Sequence, residues 1–321
     1  MSLKTIAKIF LLPTAYALLL RLLFCDTISD VLSVMSVTFL FCLPFITGAL
    51  TVYFSPVEKV RRFSYRMCAP WIPVFLFFVI TLICSIEGFA CWIMILPLFM
   101  IGASIGGLIG GYYKLKKKDN KVYVSLLVLL PFLMAPVEHW IGAIPGTYTA
   151  YTYIDIHAPA DVIWNNITRV KEIPASKDKG WLTRTLGFPR PVRAELNYNG
   201  VGAHREAVFT NGLVFHEDVT AYIEQQKMVF SIKANPHEIP STTMDEHVVI
   251  GGAYFDVLNG TYELQRLNEN TYRLHLYSHF KLKTTFNFYA SWWARWIMQD
   301  IQNNILQIEK ERSEAMVTVD N

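Results

Sequence analysis

Five long apolar stretches crowd the chain before Pro145, and each comes close to the ~20 helical residues needed to cross a ~30 Å hydrocarbon core. They are Ile6–Phe24, Val31–Phe54, Trp71–Ile86, Phe89–Tyr113 and Val122–Ile141. The third is short, and the fifth is interrupted by Pro131 and Pro136 and ends at Glu138 and His139. The pattern predicts a membrane region of about five helices over residues 1–145. Residues 1–24 read as a retained span. They carry no A-x-A-like cleavage site, and Leu22-Leu23-Phe24 lacks the small residues expected before a lipidated Cys25.

Short-loop cations give the orientation. Lys4 and Lys8, then Lys59, Arg61, Arg62 and Arg66, then Lys114, Lys116, Lys117, Lys118 and Lys121 mark alternate connections. The connections around Asp26–Asp30 and Glu87 carry none apart from Arg21 at an edge. Five crossings put the N-terminus inside and the remainder outside; if the fifth stretch does not cross, the C-terminal domain faces the cytoplasm instead. In a bacterial inner membrane five crossings mean a cytoplasmic N-terminus and a periplasmic C-terminal domain.

Composition divides near residue 149. There are 12 Lys/Arg and 6 Asp/Glu up to that point, against 17 and 20 beyond it. The overall +3 hides a basic membrane half and a mildly acidic second half with no large basic field, which argues against nucleic-acid binding. All five cysteines (Cys25, Cys42, Cys68, Cys84, Cys91) precede the division, and none forms a CxxC pair. Neither structural zinc nor a disulfide scaffold is indicated.

No apolar stretch carries a charge at its centre, which speaks against an ion path. Arg21, Glu87, Glu138 and His139 fall at ends, where they can reach water or headgroups. Glu138-His139-Trp140 reads as an interfacial anchor, with a small surface site as the sharper alternative. Gly102, Gly106 and Gly110 recur every fourth residue, so two helix backbones can approach closely there. The same face is a possible homo-oligomer seam.

From Tyr151 the periodicity becomes that of strands. Tyr151–His157 alternates, Asp161–Val170 reads as a short helix, and further strands are expected at Ala203–Thr210, Leu213–Ile223, Met228–Lys233, Gly260–Leu267 and Tyr272–Lys283. Asn211-Gly212 signals a two-residue hairpin, and Asn268-Glu269-Asn270 a second tight connection. A long helix over about Phe288–Arg312 follows, with Trp293, Ile297, Ile301, Ile305 and Ile308 on one face. Charge gathers after Glu309, where this helix is expected to leave the domain body.

This order resembles the helix-grip fold of the START-like, polyketide cyclase/dehydrase and lipid-transport superfamily, often called SRPBCC. Ile154-Asp155-Ile156-His157-Ala158-Pro159-Ala160-Asp161-Val162-Ile163-Trp164 looks like its opening strand and helix. Gly260-Thr261-Tyr262-Glu263-Leu264 with Arg273-Leu274-His275-Leu276 looks like its last hairpin, and Trp292-Trp293-Ala294-Arg295-Trp296-Ile297 like its closing helix. The resemblance spans residues 150–312, leaving a tail at 313–321. It implies an α+β domain, a curved antiparallel sheet around a long C-terminal helix, with an apolar cavity for a lipid or other hydrophobic small molecule. Fold alone does not choose between binding and catalysis.

Alternation selects the cavity candidates: Phe215, Glu217 and Val219; Phe230; Leu274, Leu276, Ser278 and Phe280; and Trp292, Trp293 and Trp296. Filling a core is the plainer role for each. Met228 and Ile232 share the inward face, as do Ala221 and Ile223. Glu217 is the most informative polar residue. A carboxylate on an apolar face must be paired, protonated or open to a solvated pocket, and in a pocket it could be a general base. A register slip placing it in water is the competing reading. Arg273, His275, Tyr277, His279 and Lys281 form the opposite, solvated face. His275 and His279, roughly 13 Å apart at ~3.3 Å per residue, cannot share a metal. No metal site, cofactor motif, P-loop or nucleophile elbow is legible. Asn166-Ile167-Thr168 and Asn259-Gly260-Thr261 match the glycosylation sequon, which matters only in a secretory pathway.

Three functions stay open. The first is membrane-tethered binding of a lipid or hydrophobic molecule for transfer or sensing. The second is a cyclase/aromatase-like enzyme using Glu217. The third is an anchored interaction or assembly protein.

Overall fold

The computed structural model describes residues 3–24, 31–116, 121–234 and 249–319. Cys25, the Asp26–Asp30 connection, Lys117 and Lys118 lie outside the described residues, as does the side chain of Lys121. The chain divides into two units: Met1–Ile144 with Thr284–Phe286, and Pro145–Lys283 with Asn287–Asn321.

The first unit is helical: α1 (Leu3–Leu23), α2 (Leu43–Phe54), α3 (Val57–Val60), α4 (Phe63–Cys68), α5 (Trp71–Ile83), α6 (Phe89–Lys116) and α7 (Lys121–Ile141). Three helices are long and apolar enough to cross a membrane: Lys4–Leu23, Phe63–Ile83 and Phe89–Lys116. Phe63–Ile83 joins α4 to α5. Thr38–Phe54 and Ser125–Ile141 are shorter apolar helices, so among the described residues three of the five stretches suggested by the sequence form helices long and apolar enough to cross. A π-helical turn, Thr38–Cys42, precedes α2. It sits just before Pro44, whose ring removes an N–H from the regular ladder.

The glycine face of α6 is filled from within. Gly102 faces Pro44, Gly106 the backbone of Phe45, and Gly110 that of Ala49. Gly48 of α2 in turn meets the backbone of Ala103. The oligomer seam expected on this face is thus occupied by α2, because residues without a Cβ let the two backbones touch. Trp71 Nε1 donates to Ser104 Oγ at 2.9 Å, which donates to the Met67 carbonyl at 2.9 Å, tying α5 and α4 to α6.

The end charges also behave differently from expectation. Arg21 is buried, with its Nε 2.5 Å from Glu87 Oε1, and it donates to the Phe24 and Ile86 carbonyls at 3.3 Å each. Two charges that leave water need one another, so they pair instead of snorkelling. Glu138 accepts from the Val37 and Thr38 amides at 2.6 and 2.8 Å and from Thr285 Oγ1 at 2.5 Å. It therefore satisfies the free N–H groups that open the Thr38 turn. His139 and Trp140 are exposed.

The second unit is a seven-stranded antiparallel sheet against a long C-terminal helix, the helix-grip arrangement. Its elements are β1 (Gly146–Ile156), α8 (Ala160–Thr168), α9 (Trp181–Leu186), β2 (Pro191–Leu196), β3 (His204–Phe209), β4 (Val214–Ile223), β5 (Lys227–Lys233), β6 (Phe255–Arg266), β7 (Tyr272–Leu282) and α10 (Asn287–Val319). The sheet order is β1-β7-β6-β5-β4-β3-β2. Asn211 and Gly212 join β3 to β4 with φ of 60° and 80°. These left-handed values suit the twist of a tight hairpin, and Asn and Gly reach them at least cost.

The buried face packs as two clusters. One gathers Ile156, Trp164, Val219, Leu274 and Leu306, and the other Ala150, Phe215, Phe280, Leu282 and Ile308. Along β4 the alternation breaks at a bulge between Val219 and Ala221. Tyr222 therefore turns inward, its hydroxyl accepting from Trp164 Nε1 at 2.8 Å, while Ala221 and Ile223 face out.

The last helix is longer than the apolar spacing suggests. It runs to Val319, and Glu309 and Ser313 are wholly buried where an exit from the domain, and then a tail, were expected. Polar side chains hold it in register. Gln302 donates to Ser278 Oγ at 2.9 Å, Asn304 to Asp178 Oδ1 at 2.7 Å, and Ser313 accepts from Asn166 at 3.0 Å. Apolar periodicity cannot see such anchors.

Candidate functional site: a cavity under the curved sheet

Between the sheet and α10 lies a cavity of about 120 Å³. Its wall includes Phe215, Phe230, Leu276, Ile301 and Ile305, with Arg205, Glu217, Ser278 and Gln302 as polar groups. Phe188 and Arg193, partly or fully exposed, lie on its outer rim.

Of the residues singled out from sequence, Phe215, Glu217, Phe230, Leu276 and Ser278 line this space. Val219, Leu274 and Phe280 are buried among the core clusters instead. Trp293 is buried beside Trp296, which is half-buried, whereas Trp292 is 53% exposed. None of the three tryptophans is among the lining residues. Spacing along a helix reports a face but not which turn meets a hollow.

Glu217 points inward and is paired. Its register partner across the β3–β4 hairpin is Arg205, which the same alternation (Ala203, Arg205, Ala207, Phe209) places on the buried face and which sequence reading overlooked. Both side chains are almost wholly buried, and Arg205 Nη1 donates to Glu217 Oε2. The guanidinium also reaches the Thr168 and Ile167 carbonyls at 3.4 Å each. These are the last carbonyls of α8, the negative end of its dipole. The rings of Phe230 and Tyr262 lie 5.4 and 6.0 Å from the guanidinium carbon, within cation–π range. A buried cation thus stays charged because a carboxylate, two carbonyls and two aromatic rings surround it with negative potential.

Titration follows this geometry. Burial pushes the Glu217 carboxyl above its ordinary value, with the Arg205 charge and hydrogen bond pulling it back. Burial likewise raises the Tyr262 hydroxyl to about 12, again opposed by Arg205. On α10, burial raises Glu309 to about 7 against the pull of Arg312, whose Nη1 is 3.2 Å from Oε1, and of Arg205. Glu309 Oε2 has no hydrogen-bond partner among the described residues.

A pH effect on stability follows. The native Glu309 carboxyl keeps its proton to about pH 7, and the unfolded one releases it near 4.5. Between those values the native state binds more protons, so the contribution of Glu309 to stability is fully present below about 4.5 and is lost as pH rises through about 7. A separation of that size is worth on the order of 3 kcal/mol. Melting temperatures of wild type and Glu309→Gln between pH 4 and 8 should diverge across that window. A constant difference would show that Glu309 does not titrate there.

No protein-family model and no curated protein matches the chain. Among solved structures, a START superfamily protein from Mycobacterium smegmatis aligns at 9% identity and TM-score 0.35, over 53% of this chain and 99% of its own. Truncated norcoclaurine synthase from Thalictrum flavum aligns at 13% and 0.30, over 51% and 94%. An uncharacterized protein from Bacillus thuringiensis aligns at 13% and 0.32, over 50% and 98%. The helix-grip description rests on the strand order and α10, not on these alignments.

Proposed function

We propose that this chain is a membrane-tethered binder that holds a lipid or other hydrophobic small molecule in the cavity between sheet and α10, for transfer or sensing. The cavity itself carries the reading: an apolar hollow with a few convergent polar groups is how small-molecule sites are built. Tethering supports it. Leu11, Leu12, Leu19, Ile101, Ile105, Leu126, Leu129 and Leu133 are exposed on the helical unit, a surface suited to acyl chains and not to water. With α2 and α7 also crossing, the cation pattern puts the N-terminus in the cytoplasm of a bacterial cell and the sheet unit in the periplasm. Confinement to the membrane raises the effective concentration of the cavity beside membrane-dissolved ligand.

The enzymatic alternative draws support from Glu217, Tyr262 and Glu309, three groups with raised proton affinity. Against it, Arg205 already occupies Glu217, so a general base there would first have to break a buried ion pair. The anchored-scaffold alternative predicts an indifferent cavity.

Native mass spectrometry of the detergent-purified protein tests the proposal. A co-purifying hydrophobic molecule is expected on wild type and should be lost from Leu276→Trp and from Ile301→Trp, which fill the hollow from the sheet and from α10. Retention of the same adduct in both folded variants rejects the cavity as its site. If Glu217→Gln instead keeps the ligand but loses turnover, the enzymatic reading replaces this one.

A further inference from the structure

The convex side of the β3–β4 hairpin carries a cluster that the cavity does not use. Register pairing sets Glu206 opposite His216 and His204 opposite Asp218. All four face outward because Arg205 and Glu217, their chain neighbours, face inward. His204, Glu206 and His216 each offer one ligand atom, and those three atoms lie within 4.8 Å of one another. The two imidazoles stack with centroids 5.8 Å apart and planes 19° from parallel.

We propose that His204, Glu206 and His216 bind a divalent transition metal of the zinc class, with Asp218 as a positioning residue for His204. Two imidazoles and one carboxylate form a donor set of intermediate softness, which suits zinc, copper or nickel and not the all-oxygen shells of calcium or magnesium. Asp218 Oδ1 lies 3.1 Å from His204 Nδ1. That contact leaves Nε2 directed toward Glu206, 3.9 Å from its Oε1. A carboxylate on one ring nitrogen with the other left for the metal is the arrangement that fixes tautomer and raises ligand basicity. Lys233 Nζ, 3.1 Å from Asp218 Oδ2, holds that carboxylate in its supporting place. Donors on one tetrahedral zinc sit about 3.3 Å apart, given bonds near 2.0–2.1 Å. The three donor atoms, now within 4.8 Å of one another, would have to close by up to about 1.5 Å to reach that spacing. The fourth position would be open to water.

Linear spacing hides the set. His204 and Glu206 are two apart on one strand, and His216 arrives only through the hairpin. This inference is independent of the cavity, since none of its residues lines it.

The test uses untagged full-length protein in detergent, stripped with a chelator and titrated calorimetrically with Zn²⁺ and spectroscopically with Co²⁺. One saturable equivalent is expected, giving d–d absorption with Co²⁺. His204→Ala, His216→Ala and Glu206→Gln should each abolish it, and Asp218→Asn should weaken it about 10–100-fold. Metal-free melting temperatures verify folding. Should an alanine variant unfold, Asp218→Asn, which keeps side-chain shape, still decides. Non-saturating binding, or an equivalent unchanged in the histidine variants and in Asp218→Asn, overturns the site.

Discussion

Replacing Arg205 with methionine lowers the stability of the sheet unit by roughly 3–5 kcal/mol, because Glu217 is left as an uncompensated charge in a nearly dry wall. For a unit of this size the melting temperature falls by about 10 °C. The lost pair is not itself the source of that cost. Desolvation of two ions consumes most of their attraction, so the double variant Arg205→Met with Glu217→Leu recovers most of the loss, and on some apolar replacements exceeds wild type. Thermal unfolding of the detergent-solubilised protein reads both numbers, and hydrogen exchange of the β3–β4 peptides places the change. A single variant as stable as wild type, or a double variant worse than the single, would show that the pair is not buried as described. The α8 carbonyls add a second readout. With the guanidinium gone, the end of α8 loses its donor, and exchange at Ile167 and Thr168 should rise as well.

Gly106→Ala in α6 is expected to disrupt the helical unit, although helix propensity alone favours alanine by about 1 kcal/mol. A Cβ at residue 106 would lie 1.9 Å from the Phe45 carbonyl oxygen, and one at Gly48 2.0 Å from that of Ala103. Both obstacles are backbone, so no rotamer relieves them and the two helices must separate. Overpacking by one carbon usually costs 1–3 kcal/mol, and a rigid obstacle should bring this to roughly 3 kcal/mol or more, outweighing propensity. Gly110→Ala is the internal control. Its added carbon meets the nearest atom, Ala49 Cα, at 3.1 Å, which a small shift accommodates. Heat-induced aggregation in detergent should therefore begin well below wild type for Gly106→Ala and close to it for Gly110→Ala. Equal onsets for the two would mean that α2 and α6 are not in contact through this glycine row.

What could be read in advance is what local periodicity controls. The alternation of β7 from Tyr272 to Leu282 puts Leu274, Leu276, Ser278, Phe280 and Leu282 on the buried face, as a pleated strand must. The same rule failed on β4 beyond Val219, where one bulge exchanged Ala221 and Ile223 for Tyr222. β2 escaped notice because Pro191 and two charges disguise an edge strand. Arg205 was legible by the argument that found Glu217, but a cation among alanines draws less attention than an acid among aromatics. The polar anchors of α10, the pairing of Arg21 with Glu87 and the histidine cluster depend on residues far apart in the chain. For the first two no short window of sequence contains both partners, and for the histidine cluster the window holds the residues but not the hairpin register that brings them together.

The strand order also sets a timetable for synthesis. β1 is an edge strand whose one neighbour is β7, from Ile156↔Tyr272 to Gly146↔Leu282, so the first strand made waits for the last. Contacts of such long range are slow to form. As the chain leaves the ribosome, β2 through β5 can zip as successive hairpins while β1 stays without its mate until residue 282 has emerged. A nascent chain arrested before that point should be cut readily by protease within Gly146–Ile156, and one released after it should resist.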